Sequence, residues 1–375
     1  MLGTRMGITP RLSDFGIYDC KNGPSPMKRG ASVASKLSDE ELRKLVEPGE
    51  RPTLKTIARI SGLAVPTVSR ALGDANDIGL DTKELVHRIA DEIGYVPNRA
   101  GVRLRTGRTN VISLVIPAEG DVLNNASKLT SSIAEELRGT PFHLNVLPWF
   151  PDEDPLRPIK YIVETRSADA VIFNMTEPED KRVAYLLKQD FPFATHGRTK
   201  WSAQHAFYDY DNSAFMRLAL RRLAARGRKN ILTVLPPLNQ NYAQDMMLGL
   251  EDESQLLKLN YRISHNVNGD RSADEIRHWI AHRLEQSPEI DAVICTSSKA
   301  AIAAIVAIEK HGLELGTDID VYGKEVVPIL KMFRKDIIVE LEDIVAAGRH
   351  LATAVVQRLR EPGLTPLQHL EIPTD

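Results

Sequence analysis

Cysteine is nearly absent from this sequence. Its 375 residues hold only Cys20 and Cys295, without metal-type spacing, which argues against a disulfide framework and a zinc site. Cys295 is expected to be a buried strand residue. No apolar run approaches the ~20 residues that span a bilayer, and the opening Met-Leu-Gly-Thr-Arg-Met lacks the basic flank, apolar segment and cleavage site of a secretory signal. A cytoplasmic chain with no membrane partner is therefore expected. Catalytic signatures are missing too. No Gly-x-Ser-x-Gly elbow frames a nucleophile, no Walker sequence occurs, and the first core strand leads into Pro117-Ala-Glu-Gly-Asp instead of a Gly-x-Gly-x-x-Gly turn. No catalytic residue, cofactor or metal ligand is assigned.

Nor does one sign of charge prevail, with 48 Lys and Arg against 50 Asp and Glu. Along the chain, however, residues 51–110 carry ten Lys/Arg and six Asp/Glu, whereas the stretch from 111 onward is acidic. A basic module on an acidic body is the asymmetry expected when one part meets phosphates and the other does not. A chain of this length, 42% hydrophobic and 26% charged, should fold as two or three units.

Residues 1–50 mix Gly, Pro, Ser and charge with little periodicity and read as a flexible N-terminal extension, with at most a brief polar helix over Leu37–Val46. Met27 is an alternative start. Residues 51–96 differ. Leu54, Ile57 and Ala58 recur at helical spacing, Gly62 interrupts, and Pro66 opens a second short helix carrying Val68, Ala71 and Leu72. Small Ala58 permits close crossing, Gly62 supplies the positive φ of a tight turn, and Val68 fills the crevice. This is a helix-turn-helix signature. A third helix is expected with Asp81 as N-cap, Glu84 as its capping-box partner, Leu85, Ile89 and Ile93 as the apolar stripe and Gly94 as the stop.

In such a motif the second helix enters the major groove with its N-terminal residues on base edges. Here Arg70 suits guanine O6 and N7, Val65 a thymine methyl, and Thr67 and Ser69 phosphate oxygens; Pro66, Thr53 and Leu54 complete the DNA-facing set. The plain alternative is a surface helix pair. Residues 97–109 follow as hinge and linker. Asn98 could cap a helix of barely two turns holding Arg99, Gly101, Arg103, Leu104 and Arg105, which should be unstable alone. On DNA it would set Gly101 against the minor groove and wedge Leu104 between base pairs; an ordinary linker fits the composition equally.

Residues 110–375 alternate short apolar runs with amphipathic helices. Strands are expected at Val111–Ile116, His143–Leu147, Ala170–Phe173, Phe193–Thr195, Ile231–Leu235, Arg262–His265, Ala292–Cys295 and Ile319–Tyr322, with helices such as Leu218–Ala225, Ile276–Leu284 and Ala300–Lys310 between them. Repeated βαβ units imply parallel sheets, and this many imply two lobes with a cleft. The fold class is therefore an α/β body of two lobes behind an all-α helix-turn-helix domain. Asp209 and Asp211 are read as caps of a helix starting near Asn212, not as a catalytic pair.

Thr53 to Leu72, Tyr95-Val-Pro-Asn-Arg99 and Leu104 resemble the DNA-binding and hinge segments of the lactose-repressor (LacI/GalR) family. Asp211-Asn212, Gly227-Arg-Lys229, Gly249 and Asp318-Ile-Asp-Val-Tyr-Gly323 resemble its periplasmic-binding-protein-like domain. The resemblance implies a homodimer or tetramer on a palindromic double-stranded DNA operator, hinge helices paired in the minor groove, a small-molecule effector between two subdomains, and a chain that crosses between lobes three times. Ligands of such sheets lie beyond the carboxyl ends of strands, which nominates Asn125, Arg198, Gln240, Tyr242, Arg271, Ser297, Lys324 and Glu325. Several positions depart from the family pattern: Met246 stands in place of a common Arg, Ser297-Ser298 in place of Asn-Asp, and Lys324-Glu325 in place of Phe-Asp. With Arg198, Arg271 and Lys324 as cleft cations, a sugar acid, sugar phosphate or carboxylate stands beside a neutral sugar as effector, the plain alternative being that each is a solvated surface charge. The rival readings are an enzyme fused to a helix-turn-helix and a solute-binding protein for transport.

Overall fold

A computed structural model describes residues 37–373, apart from 48, 98–100, 102, 104–106, 119–124, 151 and 265. The chain divides after Gly107 into two compact units.

The N-terminal unit contains α1 (Asp39–Lys44), α2 (Leu54–Ser61), α3 (Val65–Ala71) and α4 (Leu80–Glu92). Leu42, Ile57, Val68, Ala71, Val86 and Ile89 are fully buried in one shared core. Helix α2 starts with reciprocal bonds between Thr53 and Thr56 and ends at Gly62, whose φ of +69° only glycine adopts without strain. The unit departs from expectation at two places. The segment assigned to a flexible extension contributes α1, opened by a Ser38–Glu41 capping box. Leu42 enters the core, Leu37, Leu45 and Val46 pack around it, and Arg43 bonds Glu92 of α4 at 2.9 Å. A six-residue helix holds too few positions to display a period. Helix α4 begins at Leu80 with Gly79 as its cap, not Asp81: the amides of Thr82 and Lys83 both donate to the Gly79 carbonyl at 3.1 Å. Asp81 sits in the first turn, where a carboxylate favours the exposed amides.

The C-terminal unit is built on two parallel sheets. The first comprises β1 (Val111–Pro117), β2 (His143–Trp149), β3 (Ala170–Phe173), β4 (Phe193–His196), β5 (Ala206–Tyr210) and β11 (Gln368–Glu371), in the order β11-β5-β4-β3-β1-β2. Helices α5 (Asn125–Glu136) and α13 (Ile344–Arg360) cover one face, α6 (Leu156–Thr165) and α7 (Lys181–Lys188) the other. The second comprises β6 (Asn230–Val234), β7 (Asn260–Ile263), β8 (Ala292–Cys295), β9 (Asp320–Glu325) and β10 (Ile338–Leu341), ordered β10-β9-β8-β6-β7. It packs against α8 (Asn212–Ala225) and α9 (Asn241–Leu257) on one side, and α10 (Ala273–Gln286) and α11 (Ser298–Lys310) on the other, while the short α12 (Leu330–Phe333) follows β9. Strands β3 and β8 are buried throughout, Cys295 included, as in sheets covered on both faces. A Cβ at Gly249 would lie 2.4 Å from the Ser213 carbonyl oxygen, so α8 and α9 can meet this closely only through glycine.

The chain leaves the first lobe after β5 and returns at Glu342–Asp343, whereupon β11 pairs with β5. Among the described residues the chain crosses twice, and β11 brings it back beside both crossings, where the Glu371 carbonyl accepts from the Asp211 amide at 2.7 Å. Asp211 caps α8, accepting from Ala214 at 2.9 Å, but Asp209 does not. Three strands, β5, β10 and β11, were not apparent in the sequence, and β7 starts two residues earlier than expected. Among the described residues, no helix is long and apolar enough to cross a membrane, and no group of three His, Cys, Asp or Glu could hold a metal ion.

Candidate functional site

In the N-terminal unit, burial of Val68 and Ala71 sets which face of α3 is left outside. Val65, Pro66 and Arg70 are exposed and Thr67 and Ser69 half-buried; at the start of α2, Thr53 is exposed and Leu54 half-buried. Pro66 costs nothing in the first turn, where its missing N–H has no intrahelical partner to lose. The Arg70 guanidinium is paired with Asp77 of the following loop. Gly101 is helical and exposed. Asn98, Arg99 and Leu104 lie outside the described residues.

Between the lobes of the C-terminal unit, Arg198 follows β4 and holds two carboxylates. Its Nε donates to Asp209 on β5 at 2.7 Å and its Nη2 to Asp245 on α9 at 2.8 Å. One guanidinium thereby ties the first lobe to the second. Beside it the Asn241 amide donates to the Thr176 carbonyl at 2.7 Å, and the Asn239 side chain to Glu177 at 2.7 Å. Burial raises the carboxyls of Asp209 and Asp245 above the usual range, and the Arg198 charge offsets only part of that. Gln240 and Tyr242 flank Asn241 at the start of α9; burial pushes the Tyr242 phenol up. Gln240 Oε1 and Asn174 Oδ1, the latter just past β3, are buried with no partner among the described residues.

A second network occupies the lobe crossings. Lys324 Nζ lies 2.6 Å from Glu342, donates to Asn212 Oδ1 at 2.9 Å and sits 4.2 Å from the Tyr210 ring centre. Glu342 also meets His196 Nε2 at 3.2 Å. Burial alone would raise the Glu342 carboxyl, but the Lys324 charge and the His196 contact outweigh it and hold it well below the carboxylate range.

The structure therefore brings together Arg198, Gln240 and Tyr242 near α9, with Lys324 at the adjoining crossing. The remaining candidates are engaged otherwise. Glu325 accepts from the amides of Ile329 and Leu330, Ser297 caps α11 by accepting from Ala300 at 3.2 Å, and Arg271 is exposed, 3.8 Å from Glu275. Asn125 opens α5, and its side chain lies outside the described residues. The three expected cations do not form a cationic pocket: two are already paired with buried carboxylates and the third faces solvent. Asp209, Asp245, His196 and Glu342 were not singled out as site residues. The available signal was His196-Gly-Arg198 directly after an apolar strand, and Asp245 one turn beyond Asn241.

Residues 110–361 match the family model of periplasmic binding proteins and the sugar binding domain of the LacI family, and residues 53–98 match that of bacterial regulatory proteins of the lacI family. The chain belongs to the LacI family. It is similar to the HTH-type transcriptional regulator AglR of Rhizobium meliloti (strain 1021), at 29% identity over 326 residues, 84% of this chain and 90% of that one. It is also similar to the HTH-type transcriptional regulator RafR of Escherichia coli, at 35% over 192 residues, 51% of this chain and 57% of the other. The lac repressor dimer bound to operator and the anti-inducer ONPF shares the fold, with a TM-score of 0.75 at 18% identity over 87% of this chain and 97% of that one. So does a CelR–cellobiose complex, at 0.62 and 22%, covering 86% and 98%. This LacI-family member is a DNA-binding transcriptional regulator with a sugar-binding-type domain, and the relatives it matches are regulators, not enzymes.

For a LacI-family cleft of this composition, Arg198→Ala should be most damaging where the carboxylates are charged. The variant leaves Asp209 and Asp245 without their shared cation, an expected loss of about 2 kcal/mol at neutral pH. Because burial already favours their protonated forms, the loss should shrink as pH falls toward 5. Thermal unfolding at both pH values checks this; an equal deficit at each would show that the clasp is not electrostatic.

Proposed function

We propose that this chain is a cytoplasmic repressor that binds a palindromic operator as a homodimer and changes its grip when a neutral sugar enters the interlobe site. The observation that carries the effector class is the state of the cleft charges. Arg198 is already held by two carboxylates, so an arriving anion would meet Asp209 and Asp245 before any unpaired cation. Sugar hydroxyls suit the same site, because each can donate to a carboxylate without bringing a charge of its own. The cellobiose bound by CelR and the operator and anti-inducer bound by the lac repressor dimer support this assignment by fold likeness.

In mechanism, a ligand that competes with Arg198 for Asp245 changes the relation of the two lobes, and that change passes through the crossings at Tyr210–Asn212 and Glu342–Asp343. Val65 and Arg70 of α3 read base edges, while residues 97–109 dock in the minor groove with Leu104 as the wedge. Selection from a random DNA pool by the full chain at fixed salt tests the operator claim, since an inverted repeat should be enriched; no enrichment rejects it. A thermal-shift panel tests the effector. Neutral mono- and disaccharides should stabilise the protein, and stabilisation by sugar phosphates or uronic acids alone would reverse the assignment. Light scattering separates the dimer from a tetramer.

A further inference from the structure

We infer that Asp77 is a positioning residue for base recognition, holding the Arg70 guanidinium ready to read guanine; this rests on α3 being the base-reading helix. The loop after α3 doubles back over that helix. The Ala75 amide donates to the Arg70 carbonyl at 3.1 Å, the Ile78 amide to the Ala75 carbonyl at 3.1 Å, and Ile78 packs against the core of the unit. Asp77, between these anchors, meets Arg70 by an ion pair. The other acid of the loop, Asp74, is turned to α4 instead, with its carboxylate 3.5 Å from His87 and its carbonyl accepting from Lys83 at 3.1 Å.

Stability does not account for the pair. Both side chains are more than half exposed, and such pairs contribute little to folding. Affinity does not account for it either, because an acid on a surface that meets phosphates weakens binding to all DNA. What the carboxylate supplies is orientation. Arginine reads guanine through a planar fork that must arrive in register with O6 and N7. A carboxylate holding one side of the guanidinium removes rotamer freedom before DNA arrives and leaves the other edge for the base, so less entropy is lost on contact.

The test uses the full chain and the inverted repeat recovered from the random pool, with all four bases placed in turn at each position of a half-site. Arg70→Ala identifies the position that Arg70 reads; if no position loses its preference, the base-reading role of α3 falls and this inference with it. Asp77→Asn and Asp77→Ser should lower the guanine preference at that position about tenfold, leave binding to bulk DNA no weaker, and shift the melting temperature by no more than about 2 °C. On the Arg70→Ala background, Asp77→Ser should change the preference no further. Tighter binding to every sequence with discrimination intact would show that Asp77 is only an electrostatic drag. An additional loss on the Arg70→Ala background would show that Asp77 touches a base itself. Either result overturns the positioning role while the base-reading role of Arg70 stands.

Discussion

Glu342→Gln should destabilise residues 108–375 by about 3–5 kcal/mol, the cost of leaving a buried charge without its partner. Lys324 and Glu342 are 9% and 7% exposed in their side chains, so water cannot replace the lost carboxylate. Asn212 Oδ1, the Tyr210 ring and the neutral amide oxygen of the new glutamine would then be the ammonium's partners, none of them a counter-charge. In a unit of this size the loss corresponds to a fall in melting temperature of about 10 °C. The double variant Lys324→Met with Glu342→Gln should recover most of it, because removing both members of a buried pair is often nearly neutral. A single variant melting within a degree or two of the wild type would mean that the pair is hydrated and unimportant. The same carboxylate sets a pH dependence. Its folded pKa lies below the ordinary 4.5, so the unfolded chain binds its proton first. Its contribution is complete above about pH 4.5 and is lost as pH falls below that value. Glu342→Gln should therefore flatten the acid limb of the stability profile.

Leu42→Ala should abolish operator binding at 37 °C while leaving the melting of the two-lobed body unchanged. Leu42 is fully buried in the core shared by α2, α3 and α4, and truncating such a leucine costs about 2–5 kcal/mol. A small domain stabilised by roughly 0.05–0.15 kcal/mol per residue loses much of its margin. Glu40→Ala on the exposed face of the same helix should stay within about 0.5 kcal/mol. Calorimetry that resolves the two transitions, read beside a mobility shift, checks both. If Leu42→Ala bound operator like the wild type, α1 would be an ornament on the reader instead of part of it. The practical consequence concerns truncation: a shortened chain must keep residues 37–50, because Glu50 also accepts from the Thr56 hydroxyl at 2.9 Å at the start of α2.

How far the sequence could be read followed from where each signal originates. Strands β3 and β8 were located to the residue, since central parallel strands are uniformly apolar and short. Strands β5 and β10 were hidden because each carries an acid inside the sheet that is satisfied by a residue outside its own strand, and β11 because it is a polar, half-exposed edge strand. Asp209 meets Arg198, and Glu340 accepts from Tyr322 at 3.1 Å. A carboxylate in an apolar run breaks the pattern until its partner is known. The start of α4 was misplaced for a related reason: a glycine cap leaves no side-chain signature, whereas Asp81 imitates one.

The cleft shows the same division. That Arg198, Gln240 and Tyr242 lie beyond strand ends followed from topology, but their protonation and pairing did not. A sequence displays Lys324 as a charge; only the folded chain shows Glu342 and Asn212 beside it.

The sequence by itself determined the helix-turn-helix, the two-lobed α/β body and the family, because helical period, a left-handed glycine and the alternation of strand and helix are properties of neighbouring residues. The tertiary structure alone decided that α1 belongs to the reader, that Asp77 meets Arg70, and that the cleft cations are already paired. Burial and Coulomb interactions depend on separation in space, and the chain brings those partners together only by folding.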